Sequence, residues 1–214
     1  MKDIVLMGIQ GSGKGVQGGL LLEKYTDEFV CFEAGKILRA LQSNDNPIGN
    51  YIGSIIDKGG LTPDEFMVKV FDLFLYAVEK NKPLLVDGFP RKIPQMEGFL
   101  ERMKGYKREF VAIVFDLDED IAIERIQNRR MCKDCGTTLS MKLHDCSTCP
   151  HCGSSNIYQR TDDKELASIQ KRIDLYNEVT RPVVAYFETL GVVKHINANQ
   201  SIETIAAEIL AIIE

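Results

Sequence analysis

Five short stretches of the chain are apolar almost without interruption: Lys2–Met7, Phe29–Phe32, Pro83–Val86, Phe110–Phe115 and Val192–Ile196. Continuous runs, rather than strict alternation, mark strands covered on both faces, as in a parallel sheet. Helical patterns lie between them. The glycine-rich stretch Gly8–Gly15 leads into one that ends near Lys24. Thr62-Pro63-Asp64-Glu65 reads as a capping box with proline at the first helical position. Asp118 and Ser201 read as caps of later helices. Asp162-Asp163-Lys164-Glu165 opens a long helix that Pro182 is expected to kink or break. Strand and helix in alternation predict a doubly wound α/β fold around a parallel five-stranded sheet. Two segments break the alternation. One, Ala34–Thr62, is helical and punctuated by glycine; the other, about Met131–Gln159, has little apolar periodicity. Both are expected as flaps. The core then comprises residues 1–33, 63–128 and 162–214, with flaps at 34–62 and 129–161.

Composition narrows the class without deciding it. The 214 residues are 44 % hydrophobic and 27 % charged, which excludes disordered and collagen-like chains. No apolar run reaches a membrane span; Phe66–Val78 comes nearest and is interrupted by Lys69 and Asp72. The start Met-Lys-Asp-Ile-Val lacks the apolar stretch of a signal peptide, so a cytoplasmic protein is expected. The net charge of −5 disfavours general binding to nucleic acid or anionic membrane. Charge is uneven, however. Arg125–Arg172 holds nine Lys/Arg against five Asp/Glu, a basic segment suited to closing over an anionic small molecule.

The first apolar strand runs into Gly8-Ile9-Gln10-Gly11-Ser12-Gly13-Lys14 and then a helix, the context a phosphate-binding loop requires. Glycines let successive N–H groups point at phosphate oxygens, the helix N-terminus adds its dipole, and Lys14 supplies an ammonium. Where that pattern has a magnesium-ligating Ser or Thr this chain has Gly15. Any Mg²⁺ is therefore expected to be held through water, with Asp87, at the end of Leu84-Leu85-Val86, as the carboxylate. Cysteine usage points to a second ion. Cys132-x2-Cys135-Gly and Cys149-x2-Cys152-Gly form two knuckles able to close a structural zinc site. Cys146, His144 and His151 are possible substitutes. Cys31 stands apart as a small core residue.

Gly8–Gln17, Asp87-Gly88-Phe89-Pro90-Arg91 with Ile93-Pro94-Gln95, Arg125-x3-Arg129-Arg130 and Arg160-x-Asp162-Asp163 closely resemble adenylate kinases, in order along the whole chain. The paired cysteines look like the zinc-bearing lid of the bacterial long-form branch. The resemblance implies a monomeric P-loop kinase with an NMP-binding flap and a zinc lid, transferring the ATP γ-phosphoryl group to AMP with Mg²⁺. It implies ATP contacts from Gly11, Ser12, Gly13, Lys14, Gly15, Val16, Arg125, Arg129 and Gln200. AMP contacts follow from Ala34, Arg39, Leu61, Thr62, Gly88, Arg91, Gln95, Arg160 and Arg172. Lys14, Arg91, Arg129, Arg160 and Arg172 are the catalytic set.

The chain departs from the family pattern at several places. Val16 replaces a Thr after Gly-Lys-Gly, Ala34 replaces a Thr at the acceptor base, and Lys36 replaces an Asp beside the acceptor site. Lys36 is expected to bind anion. Between Asp163 and Arg172 the chain is one residue longer than the pattern. Ala34 resembles uridylate/cytidylate kinases, whereas Gln95 favours adenine. A kinase of UMP or CMP is therefore the alternative within the class. A zinc-ribbon nucleic-acid-binding ATPase is the alternative outside it, opposed by the acidic charge and by the lack of clustered aromatics near the cysteines.

Overall fold

The computed structural model describes all residues, Met1–Glu214. Strands β1 (Asp3–Gly8), β2 (Val30–Glu33), β3 (Leu84–Asp87), β4 (Phe110–Asp116) and β8 (Val193–Asn197) form one parallel sheet in the order β2-β3-β1-β4-β8. The order decides where a ligand goes. The chain steps from β1 to one edge, returns through β3, then crosses to β4 and β8. The crevice at the carboxyl end of β1 is therefore the switch point where open α/β sheets bind ligands.

Helices α1 (Lys14–Lys24) and α9 (Ile202–Ile213) cover one face, while α4 (Asp64–Ala77), α5 (Ile93–Gly105) and α8 (Arg181–Thr189) cover the other. Because strand side chains alternate, Ile4 and Leu6 pack toward Leu21, Ile205 and Ile209. Val5 and Met7 pack toward Phe71, Phe99 and Phe187. That is why the strands read as unbroken apolar runs. The second face carries a chain of aromatic contacts from Phe32 through Phe71, Phe89, Phe99 and Phe110 to Phe187. It anchors the turn after β3 to the core through Phe89.

Two insertions stand on this core. Between β2 and α4, helices α2 (Ala34–Gln42) and α3 (Pro47–Ile56) pack on each other, and Asn46 caps α3 by accepting from the Ile48 and Gly49 amides. After α6 (Glu119–Gln127), strands β5 (Arg129–Cys132), β6 (Thr138–Ser140) and β7 (Ile157–Tyr158) form a small antiparallel sheet. A 3₁₀ turn, Thr161–Asp163, leads from it to α7 (Leu166–Leu175).

Several local expectations fail. Thr62 does not cap α4: the helix starts at Asp64, Pro63 takes the cap position without a side-chain bond, and Thr62 is buried facing the crevice. Glu65 pairs instead with Lys69 one turn on. Asp118 occupies the cap position of α6 with no side-chain bond, whereas Ser201 accepts from the Thr204 amide as expected. The long helix breaks before Pro182, not at it. A π-helical turn, Tyr176–Thr180, widens the spiral so that Pro182 can enter the first turn of α8, where its missing N–H costs nothing. Arg129 does not share a helix face with Arg125, because α6 ends at Gln127 and Arg129 opens β5.

Candidate active site

The loop after β1 is shaped by glycine. Gly8 and Gly11 adopt φ of +138° and +86°, and a Cβ on them would lie 2.7 Å from the Phe115 carbonyl and 2.8 Å from the Ala122 carbonyl. Larger residues would thus be both strained and blocked. Helix α1 then starts without a side-chain cap, and the amides of Gly13, Lys14 and Gly15 find no acceptor in the protein. Unsatisfied N–H groups at a helix start, facing a cavity, are an anion site. Lys14 curls into the loop, donating to the carbonyls of Gly8 and Ile9 at 2.6 and 2.8 Å and to Ser12 Oγ at 3.1 Å. Burial pushes its pKa down to about 8, helped by Arg91 and Arg129 and opposed by Asp87. Asp87, at the end of β3, is raised by burial, with Lys14 offsetting part of the effect.

The turn after β3 fixes Arg91. Gly88 takes φ +79°, and Phe89–Pro90 is a cis peptide bond. The Arg91 amide donates to Gln95 Oε1 at 2.9 Å, its Nε donates to the Gly88 carbonyl, and its carbonyl accepts from Thr180 Oγ1. Gln95 is buried and donates to Asp64 Oδ1 at 2.8 Å. Its amide, at the cavity wall, keeps one donor hydrogen and one acceptor lone pair unused.

Three arginines are held by two neighbouring aspartates. Asp163 accepts from Arg129 Nε and Nη2 at 2.8 and 2.7 Å and from Arg172 Nη2 at 2.8 Å. Asp162 accepts from Arg160 at 3.0 and 2.7 Å and from Arg172 Nη1 at 2.8 Å. Burial pushes the Asp163 carboxyl up, but the Arg129 hydrogen bond and the charges of Arg129, Arg160 and Arg172 outweigh it and hold it below the ordinary value. Three guanidinium groups against two carboxylates leave one positive charge over, already oriented. Arg39, on α2, is lowered to about 10 by burial and by the facing charge of Arg160. Arg125 donates to the Ala198 carbonyl at 3.0 Å, tying α6 to the loop after β8.

One cavity of about 1360 Å³ runs past the loop, the turn after β3 and the arginine cluster. Gly11, Ser12, Gly13, Lys14, Gly15, Val16, Arg125, Arg129 and Gln200 line it. So do Ala34, Arg39, Leu61, Thr62, Asp87, Gly88, Arg91, Gln95, Arg160 and Arg172. The longer link before Arg172 does not displace that residue from the wall. The volume exceeds the roughly 300–1,000 Å³ of a single small-ligand pocket and leaves room for two ligands. Such a chamber, with amides and a lysine at one wall and arginines at the others, suits two polyanions.

Comparison with known proteins points the same way. The family model for adenylate kinase matches residues 6–192. The chain is 35 % identical over 210 residues to the adenylate kinase of Elusimicrobium minutum, covering 96 % of this chain and 95 % of the relative. It is 31 % identical over 210 residues to that of Bacillus subtilis, covering 97 % and 95 %. The chain belongs to the adenylate kinase family.

This family member carries its metal candidate beside the small sheet, away from the cavity. The sulfur atoms of Cys132, Cys135, Cys149 and Cys152 all lie within 4.8 Å of one another, with Cys132–Cys152 and Cys135–Cys149 both 3.6 Å apart. A tetrahedron of zinc–sulfur bonds sets sulfurs about 3.8 Å apart, so the four thiols fit a zinc ion. Gly136 and Gly153, both at φ +75°, turn the two knuckles so that their amides donate back to Cys132 and Cys149. Cys146 and His151 are outside the cluster, and His144 contacts Ser140 instead. The only buried side chains between Arg129 and Arg160 are Cys132, Leu139 and Cys149, too little apolar core to fold unaided. Stripping the metal with a chelator should therefore free the amides of residues 129–161 to exchange within minutes, while the five-stranded sheet stays protected. Equal protection with and without metal would defeat the zinc assignment.

Mg²⁺ has a different fit. Gly15 and Val16 offer no hydroxyl, and Asp87 is the carboxylate facing the loop at the cavity wall. A hard ion that keeps most of its waters is compatible with that sparse donor set.

Sequence reasoning did not assign several working residues. Asp64 and Thr180 fix Gln95 and the Arg91 backbone, and Asp162 and Asp163 hold the arginine cluster. Asp162 and Asp163 were visible in a motif, but their partners are up to 34 residues away. Lys36 does not face the cavity; it pairs with Glu33 at 2.8 Å. Cys31 is partly buried, and burial pushes its thiol up to about 12, as befits an inert core residue.

Proposed function

We propose that this protein is an adenylate kinase in activity as well as family, transferring the γ-phosphoryl group of ATP to AMP to give two ADP. The observation that carries this reading is that Lys14, Arg91 and Arg129 face one cavity of two-ligand size. An oxygen of the AMP phosphate attacks the γ-phosphorus, the bond to the β-phosphate oxygen breaks, and that oxygen leaves on ADP. No general base is needed, because the nucleophile is already an anion. The protein's task is to align two polyanions and spread charge over the transferring group.

In this reading the loop amides and Lys14 hold the ATP phosphates, with Val16 and Gln200 nearby. Arg125 lies against the donor base. Arg39 and Arg91 hold the AMP phosphate, and Arg129, Arg160 and Arg172 surround the transferring group. Ala34, Leu61, Thr62, Gly88 and Gln95 frame the acceptor base. Asp87 is the residue that would hold Mg²⁺, through water, and the ion would supply charge neutralisation on the phosphates. Residues 34–62 act as an acceptor flap and 129–161 as a lid that excludes water over the core. The site is complete within one chain, in keeping with a monomer. Cysteines kept as thiols suit a cytoplasmic setting.

A coupled assay of ADP formation with AMP, UMP, CMP and GMP in turn tests the proposal, with AMP expected to give the highest kcat/KM. A preference for UMP or CMP would move the protein to the sister activity, for which Ala34 is the one favourable observation. ATP hydrolysis without acceptor phosphorylation would refute transfer altogether.

A further inference from the structure

Arg39 is the one guanidinium on the cavity wall that makes no hydrogen bond within the protein. Its side chain folds back over the first turn of α2, with Nη1 3.0 Å from where a Cβ on Gly35 would stand. Its nearest anion is Glu33, the last residue of β2, 3.8 Å away and beyond hydrogen-bond reach. Glu33 lines the cavity, its side chain only 24 % exposed, and stands in register beside Asp87 on the neighbouring strand. A carboxylate in that place is a competitor, because it offers Arg39 the same pair of oxygens as a phosphate.

Lys36 holds the other oxygen of that carboxylate. The Lys36 ammonium lies 2.8 Å from Glu33 Oε2, while Oε1 is the oxygen toward Arg39. Lys36 is itself largely exposed, 64 %, and is absent from the cavity wall, so it is badly placed to touch an acceptor phosphate. We infer that Lys36 sequesters the Glu33 carboxylate and thereby leaves Arg39 free for the acceptor phosphate, which makes Lys36 a positioning residue for acceptor binding. The inference rests on the acceptor role proposed above for Arg39. Of the other charges around the pair, Arg160 is tied to Asp162 and Asp87 is a like charge to Glu33, so the choice of partner for Glu33 lies between Lys36 and Arg39.

A double-mutant cycle separates sequestration from direct phosphate binding. In Lys36→Met the freed carboxylate turns to Arg39, and the KM for AMP should rise roughly tenfold, with kcat at saturating AMP and the KM for ATP within about twofold of wild type. Glu33→Gln should bind AMP as well as wild type or better. In Lys36→Met/Glu33→Gln the competitor is gone, and the KM for AMP should return to within about threefold of wild type. A double variant as impaired as Lys36→Met overturns the inference, since Lys36 would then act on the phosphate itself. So does an unchanged KM in Lys36→Met. Calorimetric titration with AMP alone reads the same ordering of affinities without turnover. It keeps failure of this inference distinct from failure of the transfer reaction, which would show as absent ADP formation by the wild type.

Discussion

Replacing Lys14 by methionine should lower kcat/KM by roughly 10²–10³-fold, the usual loss when one preorganised positive donor is taken from a charge-developing site, while leaving the fold standing. The second half of that expectation comes from the electrostatics of the lysine. Its pKa sits near 8 rather than 10.5 because burial disfavours the ammonium. Between those two values the unfolded chain binds more protons than the folded one, so stability rises with pH across that window and is lower at neutral pH. A pKa lowered from 10.5 to about 8 corresponds to a cost of about 3 kcal/mol for the charge. Methionine removes that cost and also loses the three bonds to the loop, each about 1 kcal/mol. The two nearly cancel, and calorimetry should find the melting temperature within a few degrees of wild type.

The same pKa predicts a pH profile. For the wild type, kcat/KM for ATP should decline as pH passes about 8, because the protonated ammonium is the form that receives phosphate. Under saturating nucleotide the decline in kcat should move to higher pH, since bound phosphate favours the charged form. Turnover above a tenth of wild type in Lys14→Met, or a collapse of its melting temperature, would show that the lysine has another role.

Local chemistry was legible in the sequence, and partnerships across the chain were not. The five strands could be read because burial on both faces makes them apolar throughout, as in Leu84-Leu85-Val86 and in Ile4–Met7. The glycines of the phosphate loop and the paired cysteines could be read because their spacing is set by a ligand's geometry. Thr62 misled because a cap residue and a pocket-lining residue look alike in sequence, and only packing at the flap decides between them. Arg125 and Arg129 misled because four-residue spacing says nothing about where a helix stops. The π-helical turn Tyr176–Thr180 has no composition of its own; it reconciles Pro182 with a helix whose Thr180 must reach the Arg91 carbonyl. Lys36 misled in an instructive way. The expectation is an anion at the acceptor site, whereas Lys36 lies off the cavity wall and pairs with Glu33, three residues before it.

Asp163→Asn is expected to be the most destructive single change in the arginine cluster, although Asp163 need not touch substrate. Its side chain is fully buried and accepts three hydrogen bonds, two from Arg129 and one from Arg172. Asparagine keeps the shape but turns an –NH₂ toward guanidinium donors and removes the charge that compensates them. Breaking a buried ion pair on one side costs about 3–5 kcal/mol, so the urea midpoint at neutral pH should fall sharply. Because the wild-type carboxyl is held below its ordinary value, its stabilisation is present above that value and is lost as pH falls through its lowered pKa. The variant lacks that contribution at every pH, and its stability should therefore fall less steeply toward acid than that of the wild type. Activity should suffer separately. Arg129 and Arg172 lose the support that aims them into the cavity, and misplacement on the scale of an ångström is worth on the order of 10²-fold in kcat. Measuring kcat well below the variant's own melting temperature separates misaimed arginines from unfolded protein. A variant with wild-type kcat and a lowered midpoint would make Asp163 a brace for the fold alone, and one with neither change would remove it from the site.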